Sequence, residues 1–153
     1  RCPIFKDLSE EVVQLLVHHF DERVYLPNDY VFTEEDYPCA LYFVRAGNIA
    51  YELVKPHRES TASTSSLSSS KYEHQQVFRS GDYFGEVGLL KDQPRAATIT
   101  SLGGAVCATT TKQGFEKMLE LGGEDLRHHV ETQVDKQMNR FIARIELFKG
   151  LED

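Results

Sequence analysis

A chain of 153 residues has room for one ordinary domain with a proper core, and its net charge of -7 removes nucleic acid and anionic membrane surfaces as broad partners, since both need basic patches. No run of about twenty apolar residues is present, so no segment reads as a membrane span. Cys2, Cys39 and Cys107 are odd in number and widely spaced. That fits neither a disulfide framework nor a metal knuckle, and they read as thiols of a reducing, cytoplasmic compartment. The chain opens at Arg1 without a methionine or a signal pattern, as a piece of a larger protein would.

Residues 1–22 form an N-terminal helical segment. Over positions 7–20, Leu8, Val12, Leu15, Leu16 and Phe20 recur at helical spacing behind Ser9, with Glu10 and Glu11 near the start. His18 and His19 fall near the end, where a cation complements the helix dipole. From residue 23 the pattern changes to short β-rich runs at 23–25, 30–32, 41–44 and 49–53. Turn residues at 27–29 and at Ala46, Gly47 and Asn48 separate them. About ten residues per strand and turn favour antiparallel pairing over a βαβ pattern.

Residues 57–70, mostly serine and threonine, are too polar to bury anything and predict a flexible loop between two strands. Strand character resumes at 72–78, and Ser80, Gly81 and Asp82 turn the chain. Beyond residue 97, two β-rich runs flank Gly103 and Gly104 as a hairpin. Thr110 or Thr111 then caps a helix over 112–121, ended by Gly122 and Gly123. A last helix over about 124–148 carries Val134, Met138, Phe141, Ile145 and Phe148 as an apolar seam. The seam suits packing on its own domain, a lid over a ligand, or contact with a neighbour. The fold class expected is α+β: an antiparallel, jelly-roll-like β-roll over 23–111, an N-terminal helix, and C-terminal lid or hinge helices over 112–148. The residues at 4–10 are echoed weakly at 147–153, so 149–153 reads as the start of a following tandem domain.

Between the strand runs lies Phe84-Gly85-Glu86-Val87-Gly88-Leu89-Leu90, followed by Pro94-Arg95-Ala96-Ala97-Thr98. Glycines let a backbone approach a ligand, N–H groups at a short helix start attract an anion, and arginine grips phosphate in bidentate fashion. Glu86 beside a phosphate is repelled unless it faces a hydroxyl donor or is neutralised by Arg95. A ligand with a phosphate and a ribose hydroxyl suits both.

Residues 84–98 resemble the phosphate-binding cassette of cyclic nucleotide-binding domains, and the opening helix, strand runs and closing helices extend that resemblance over nearly the whole chain. It implies that Arg95 pairs with the cyclic phosphate and that Glu86 accepts a hydrogen bond from the ribose 2′-hydroxyl. Gly85, Gly88, Ala96 and Ala97 would complete the cradle. Ala96 matches cyclic-AMP-binding kinase regulators, whereas cyclic-GMP-dependent kinases carry threonine there, so cyclic AMP is the preferred ligand and cyclic GMP the alternative. Met138 or Phe141 would cap the base. Alanine is frequent in the family at the position of Gly88; only the N–H is needed there, so function is expected to survive the difference.

No nucleophile–base pair, metal spacing or Walker loop is present, so no enzyme and no cofactor are expected. The output is then mechanical: a ligand-driven movement of the C-terminal helices that regulates a protein kinase domain or subunit beside a neighbouring tandem domain. A cytosolic gating domain of an ion channel, and a pocket that has drifted to another nucleotide or nucleoside, are the alternatives.

Overall fold

Ser9 stops the chain from continuing extended by accepting a hydrogen bond from the N–H of Val12 at 3.3 Å, and α1 (Glu10–Val17) starts there. Glu10 and Glu11 occupy its first turn, where the dipole favours them. The helix is shorter than its apolar periodicity suggested: His18 is already the C-cap, and Leu15 is exposed while Leu16 is buried. Phe5, in the short 3-10 turn Pro3–Phe5, and Phe20 pack with Phe43 at ring separations of 5.0 and 5.3 Å, fastening this segment to the strands.

The computed structural model describes residues 2–54 and 72–149, with their side chains except at 3, 52–54, 72–75, 141 and 144–149. The serine-rich loop expected at 57–70 and the tandem start expected beyond Lys149 lie outside the described residues. The strands are β1 (Asp21–Tyr25), β2 (Tyr30–Phe32), β3 (Ala40–Val54), β4 (Tyr72–Phe78), β5 (Tyr83–Phe84) and β6 (Thr98–Thr111). They form one antiparallel sheet in the order β1-β6-β3-β4, with β2 paired to β6 and β5 to β3. The α+β reading and the antiparallel β-roll are what the chain forms.

Two expected chain reversals are not there. Ala46 to Asn48 and Gly103 to Gly104 sit inside continuous strands, β3 and β6, which pair with each other along almost their whole length. Register slips between Val44 and Ala46 and between Gly47 and Ile49, opposite Val106, Ala105 and Ser101, mark the spot. One kind of β-bulge, like several kinds of turn, uses a glycine with positive φ, and Gly47 and Gly104 have φ of 83° and 96°. The backbones meet so closely that a Cβ on Gly47 would lie 2.1 Å from the Gly104 carbonyl oxygen.

Strand alternation divides the core. On β3, Leu41 and Phe43 face the helices and join Leu16, Leu89, Phe115, Met118, Val130 and Val134; Tyr42, Val44 and Ile49 face the inside of the roll with Phe78, Phe84 and Ile99. Thr111 caps the last helix, accepting from the N–H of Gly114 at 3.1 Å. That helix, α3 (Lys112–Lys149), is two helices joined at Gly123, whose φ of 69° and ψ of -167° are non-helical. The sequence placed the break correctly.

Candidate functional site

β5 delivers the chain to the site. Phe84 pairs with Tyr42 of β3 and stacks on its ring at 5.1 Å with the planes parallel to within 1°. The next residue, Gly85, has φ of 93° and opens the short helix α2 (Glu86–Lys91). A Cβ there would press against the Ala40 carbonyl, the Tyr42 ring and Arg95 Nη1, each at 3.2 Å. Glycine is required twice over, for the left-handed backbone and for the space. At the far end Asp92 takes a left-handed conformation and its N–H returns to the carbonyl of Gly88.

The return segment is pinned by two backbone hydrogen bonds: Arg95 N donates to Asp36 O, and Glu35 N donates to Arg95 O, both at 2.8 Å. They fix the side chain's origin. Arg95 is 4% exposed, and its guanidinium donates from Nη1 to Gly85 O and from Nη2 to Ala40 O, each at 2.7 Å, and lies 4.2 Å over the Phe32 ring. Its Nε is buried and has no hydrogen-bond partner. Burial lowers its pKa, opposed by Tyr42, Cys39, Glu86 and Asp36, but an arginine stays charged. A cation in this setting is incomplete without an anion.

Glu86 is fully buried. Its Oε1 accepts from Gln137 Nε2 of α3 at 2.6 Å, while Oε2 has no partner. Burial pushes its pKa up from 4.5 to about 7, and its own backbone N–H, Gln137 and Arg95 pull the other way. Glu86 and Arg95 therefore do not tie the loop together as an ion pair: the arginine's partners are carbonyls and the glutamate's is an amide.

Between this loop, the inner sheet face and α3 lies a cavity of about 200 Å³. Five of the expected residues, Gly85, Gly88, Arg95, Ala96 and Ala97, line it, as does Met138. Its apolar wall is Phe32, Tyr51, Phe78, Phe84 and Ile99. Glu86 does not reach the cavity; Gln137 stands in front of it. The side chain of Phe141, the other expected cap, lies outside the described ones. Gln137 and the aromatic wall were not read from the sequence. Phe32 and Phe84 were visible only as strand aromatics, and Gln137 only as the polar neighbour of Met138.

Gly88 is also tighter than its sequence suggested. A Cβ there would lie 2.9 Å from Pro38 Cβ and 3.2 Å from Arg95 Nη1, so the alanine frequent in the family has no room in this chain unless Pro38 moves. Among the described residues no group of three His, Cys, Asp or Glu is placed to hold a metal, and no helix is long and apolar enough to cross a membrane.

The geometry has counterparts among known proteins. A cAMP-dependent protein kinase regulatory subunit of Yarrowia lipolytica is 32% identical over 134 residues, covering 88% of this chain and 31% of its own length. The chain thus spans about a third of that relative. The catabolite activator protein of Thermus thermophilus superposes with a TM-score of 0.73 at 18% identity, over 96% of this chain and 63% of its own. The regulatory domain of Toxoplasma gondii PKA, solved with cAMP, superposes with a TM-score of 0.66 at 17% identity, over 90% of this chain and 46% of its own. At those identities the superpositions speak for the fold. The cyclic nucleotide-binding domain family matches residues 22–121, a stretch running from the first strand through the glycine-rich loop to the first half of α3. With that match and the β-roll built around the same loop, the chain belongs to the cyclic nucleotide-binding domain family.

Proposed function

We propose that the chain is a sensor for a cyclic nucleotide, cyclic AMP in preference to cyclic GMP, and that ligand binding moves α3 and so regulates a protein kinase in the cytoplasm. One observation carries the reading: a buried arginine with an unsatisfied N–H and a buried carboxylate with an unsatisfied oxygen, not paired with each other, beside an apolar cavity. A cyclic phosphate answers the first, a ribose hydroxyl the second, and a flat base the wall of Phe32, Tyr51 and Ile99. N–H groups in the first turn of α2, Gly88 among them, have no intrahelical partner and can face the phosphate, with Ala96 and Ala97 beside it. Met138, which lines the cavity, would cover the base.

The cavity is smaller than the 300 Å³ or so at which small-molecule sites begin, as a pocket half-closed by its own lid would be. The domain itself carries out no reaction, and the output is a change in how α3 packs. A differential affinity of about 100-fold between two packings supplies roughly 2.7 kcal/mol of shift. The kinase is proposed from the Yarrowia relative, itself a kinase regulatory subunit, and a neighbouring tandem domain from the weak echo of residues 4–10 at 147–153.

A second reading, an uncharged nucleoside, draws on the two carbonyls already held by Arg95. Calorimetry with cyclic AMP, cyclic GMP and adenosine on the wild-type chain and Arg95→Ala separates the two. We expect cyclic AMP to bind tightest and Arg95→Ala to lose on the order of 3–5 kcal/mol of binding, because the phosphate charge would be buried unpaired. Adenosine binding as tightly as cyclic AMP, or an indifferent Arg95→Ala, would sink the reading.

A further inference from the structure

A second cavity lies between α1 and the sheet and shares no lining residue with the one beside the glycine-rich loop. At about 510 Å³ it falls within the range of small-molecule sites, which the first does not reach. The strand register explains it. Glu22 of β1, Ala108 of β6 and Phe43 of β3 stand abreast across the sheet, so their side chains share one face, with the smallest of the three in the middle. The helix above does not fill the hollow: Leu16 is the one residue that α1 buries fully, while Val17, which also lines the cavity, is 58% exposed. Phe5, Phe20 and Phe43, with ring separations of 5.0, 5.3 and 6.2 Å, make a continuous aromatic wall. Such a wall seats a flat apolar group, and ring faces attract cations.

Charge selects the ligand. Among the described lining residues, Asp21, Glu22 and Asp82 are exposed carboxylates and Arg45 is the one permanent cation, already paired with Glu22. Asp82 is held in place, its Oδ2 accepting from the Arg79 N–H at 2.8 Å. Burial pushes the Cys2 thiol's pKa up, so that side chain adds no charge to the balance. An anionic amphiphile would bring its charge to like charges, and a neutral hydrophobe would gain the wall and nothing from the rim. We propose that this cavity is a second ligand site, for an aralkylammonium whose ring lies against Phe5, Phe20 and Phe43 and whose ammonium faces Asp82 and Asp21. The assignment stands apart from the nucleotide reading, because the two cavities have no residue in common.

Three probes of one shape and different charge test it: phenethylamine, phenethyl alcohol and hydrocinnamate, each titrated into the whole chain at neutral pH. Methyl NMR signals of Val13, Leu16 and Ala108 report on this cavity, and those of Ala96, Ala97 and Met138 on the other. Phenethylamine is expected to shift the first set and to bind about tenfold tighter than hydrocinnamate, with the alcohol between them. Asp82→Asn keeps an acceptor for the Arg79 N–H and removes the charge; Glu22→Gln releases Arg45 to repel a cation. Each is expected to weaken phenethylamine about threefold and to leave the alcohol within about twofold. Ala108→Leu, which fills the hollow, should weaken all three probes; where it does not fold, the two charge variants decide. Shifts confined to Ala96, Ala97 and Met138, or no saturable shift of either set, would overturn the site. Hydrocinnamate binding as tightly as phenethylamine, or charge variants that leave the amine's affinity unchanged, would overturn the ligand class.

Discussion

Glu86 is a carboxylate placed where ionisation is unfavourable, and its burial makes a signed statement about pH. Tyr83, Arg95 and Gln137 are the groups that interact with it, and burial outweighs the arginine's attraction. Its pKa is about 7 in the fold against an ordinary 4.5. Below about 4.5 the group is protonated whether the chain is folded or not, and it contributes no penalty. Between about 4.5 and about 7 the unfolded chain ionises it while the dry site keeps it protonated, and stability is lost as pH rises through that interval to the folded pKa, by roughly 3 kcal/mol in all. Glu86→Gln removes the titration. Thermal unfolding followed from pH 5 to pH 8 should show the variant gaining on wild type as pH rises, and parallel curves would refute the assignment. A ligand hydroxyl is best accepted by the ionised form, so cyclic AMP affinity in wild type should rise over the same interval.

At the scale of elements, the break in α3 is the part whose conformation is least replaceable. Gly123 combines φ of 69° with ψ of -167°, a region open essentially to glycine, yet a Cβ there would meet nothing within 4 Å. Gly123→Ala is therefore a pure backbone test. It should destabilise the chain by about 1–3 kcal/mol in denaturant unfolding, and hydrogen exchange should place the change in residues 124–149 and leave β3 and β6 protected. Equal loosening of the strands would mean that helix and roll unfold as one unit.

The break was legible in the sequence for the same reason that the caps at Ser9 and Thr111 were: each depends on residues within one turn of itself. Gly47 and Gly104 carry the same local signal of positive φ and were misread as turns, because only the partner strand decides between a reversal and a bulge. Gln137 was beyond local reasoning altogether. Its contact with Glu86 spans 51 residues of chain, and a glutamine beside an apolar seam looks like any solvated helix position. Arg95, by contrast, could be nominated from its neighbours, though not its hold on Gly85 O and Ala40 O, which requires β3 to be in place.

For the molecule as a whole, the site joins parts that otherwise have separate cores. The helices pack on one face of β3, the inner barrel on the other, and the cavity is walled by Phe32, Phe84 and Ile99 from the inner side and Met138 from the helical side. A ligand there binds only the folded arrangement. At a cyclic AMP concentration 100 times its Kd the fold should gain about 2.7 kcal/mol, a rise in Tm of roughly 5–10 °C for a chain of this size. A melting curve that does not move at that concentration would show that the ligand does not occupy this site in the folded chain. Arg95→Ala should abolish the shift while keeping a cooperative transition.

The contact between Gly88 and Pro38 also bears on how such a chain can change by descent. The Cβ that alanine would add at 88 falls 2.9 Å from the proline ring, so that replacement is admissible only after residue 38 has become smaller or the segment carrying it has moved. Taken in the other order, the first step squeezes the cradle around Arg95 before anything has made room. The two positions thus form a locked pair in sequence space: a path toward alanine at 88 runs through 38, and a drift at 38 that looks neutral by itself would quietly widen what position 88 is permitted to become.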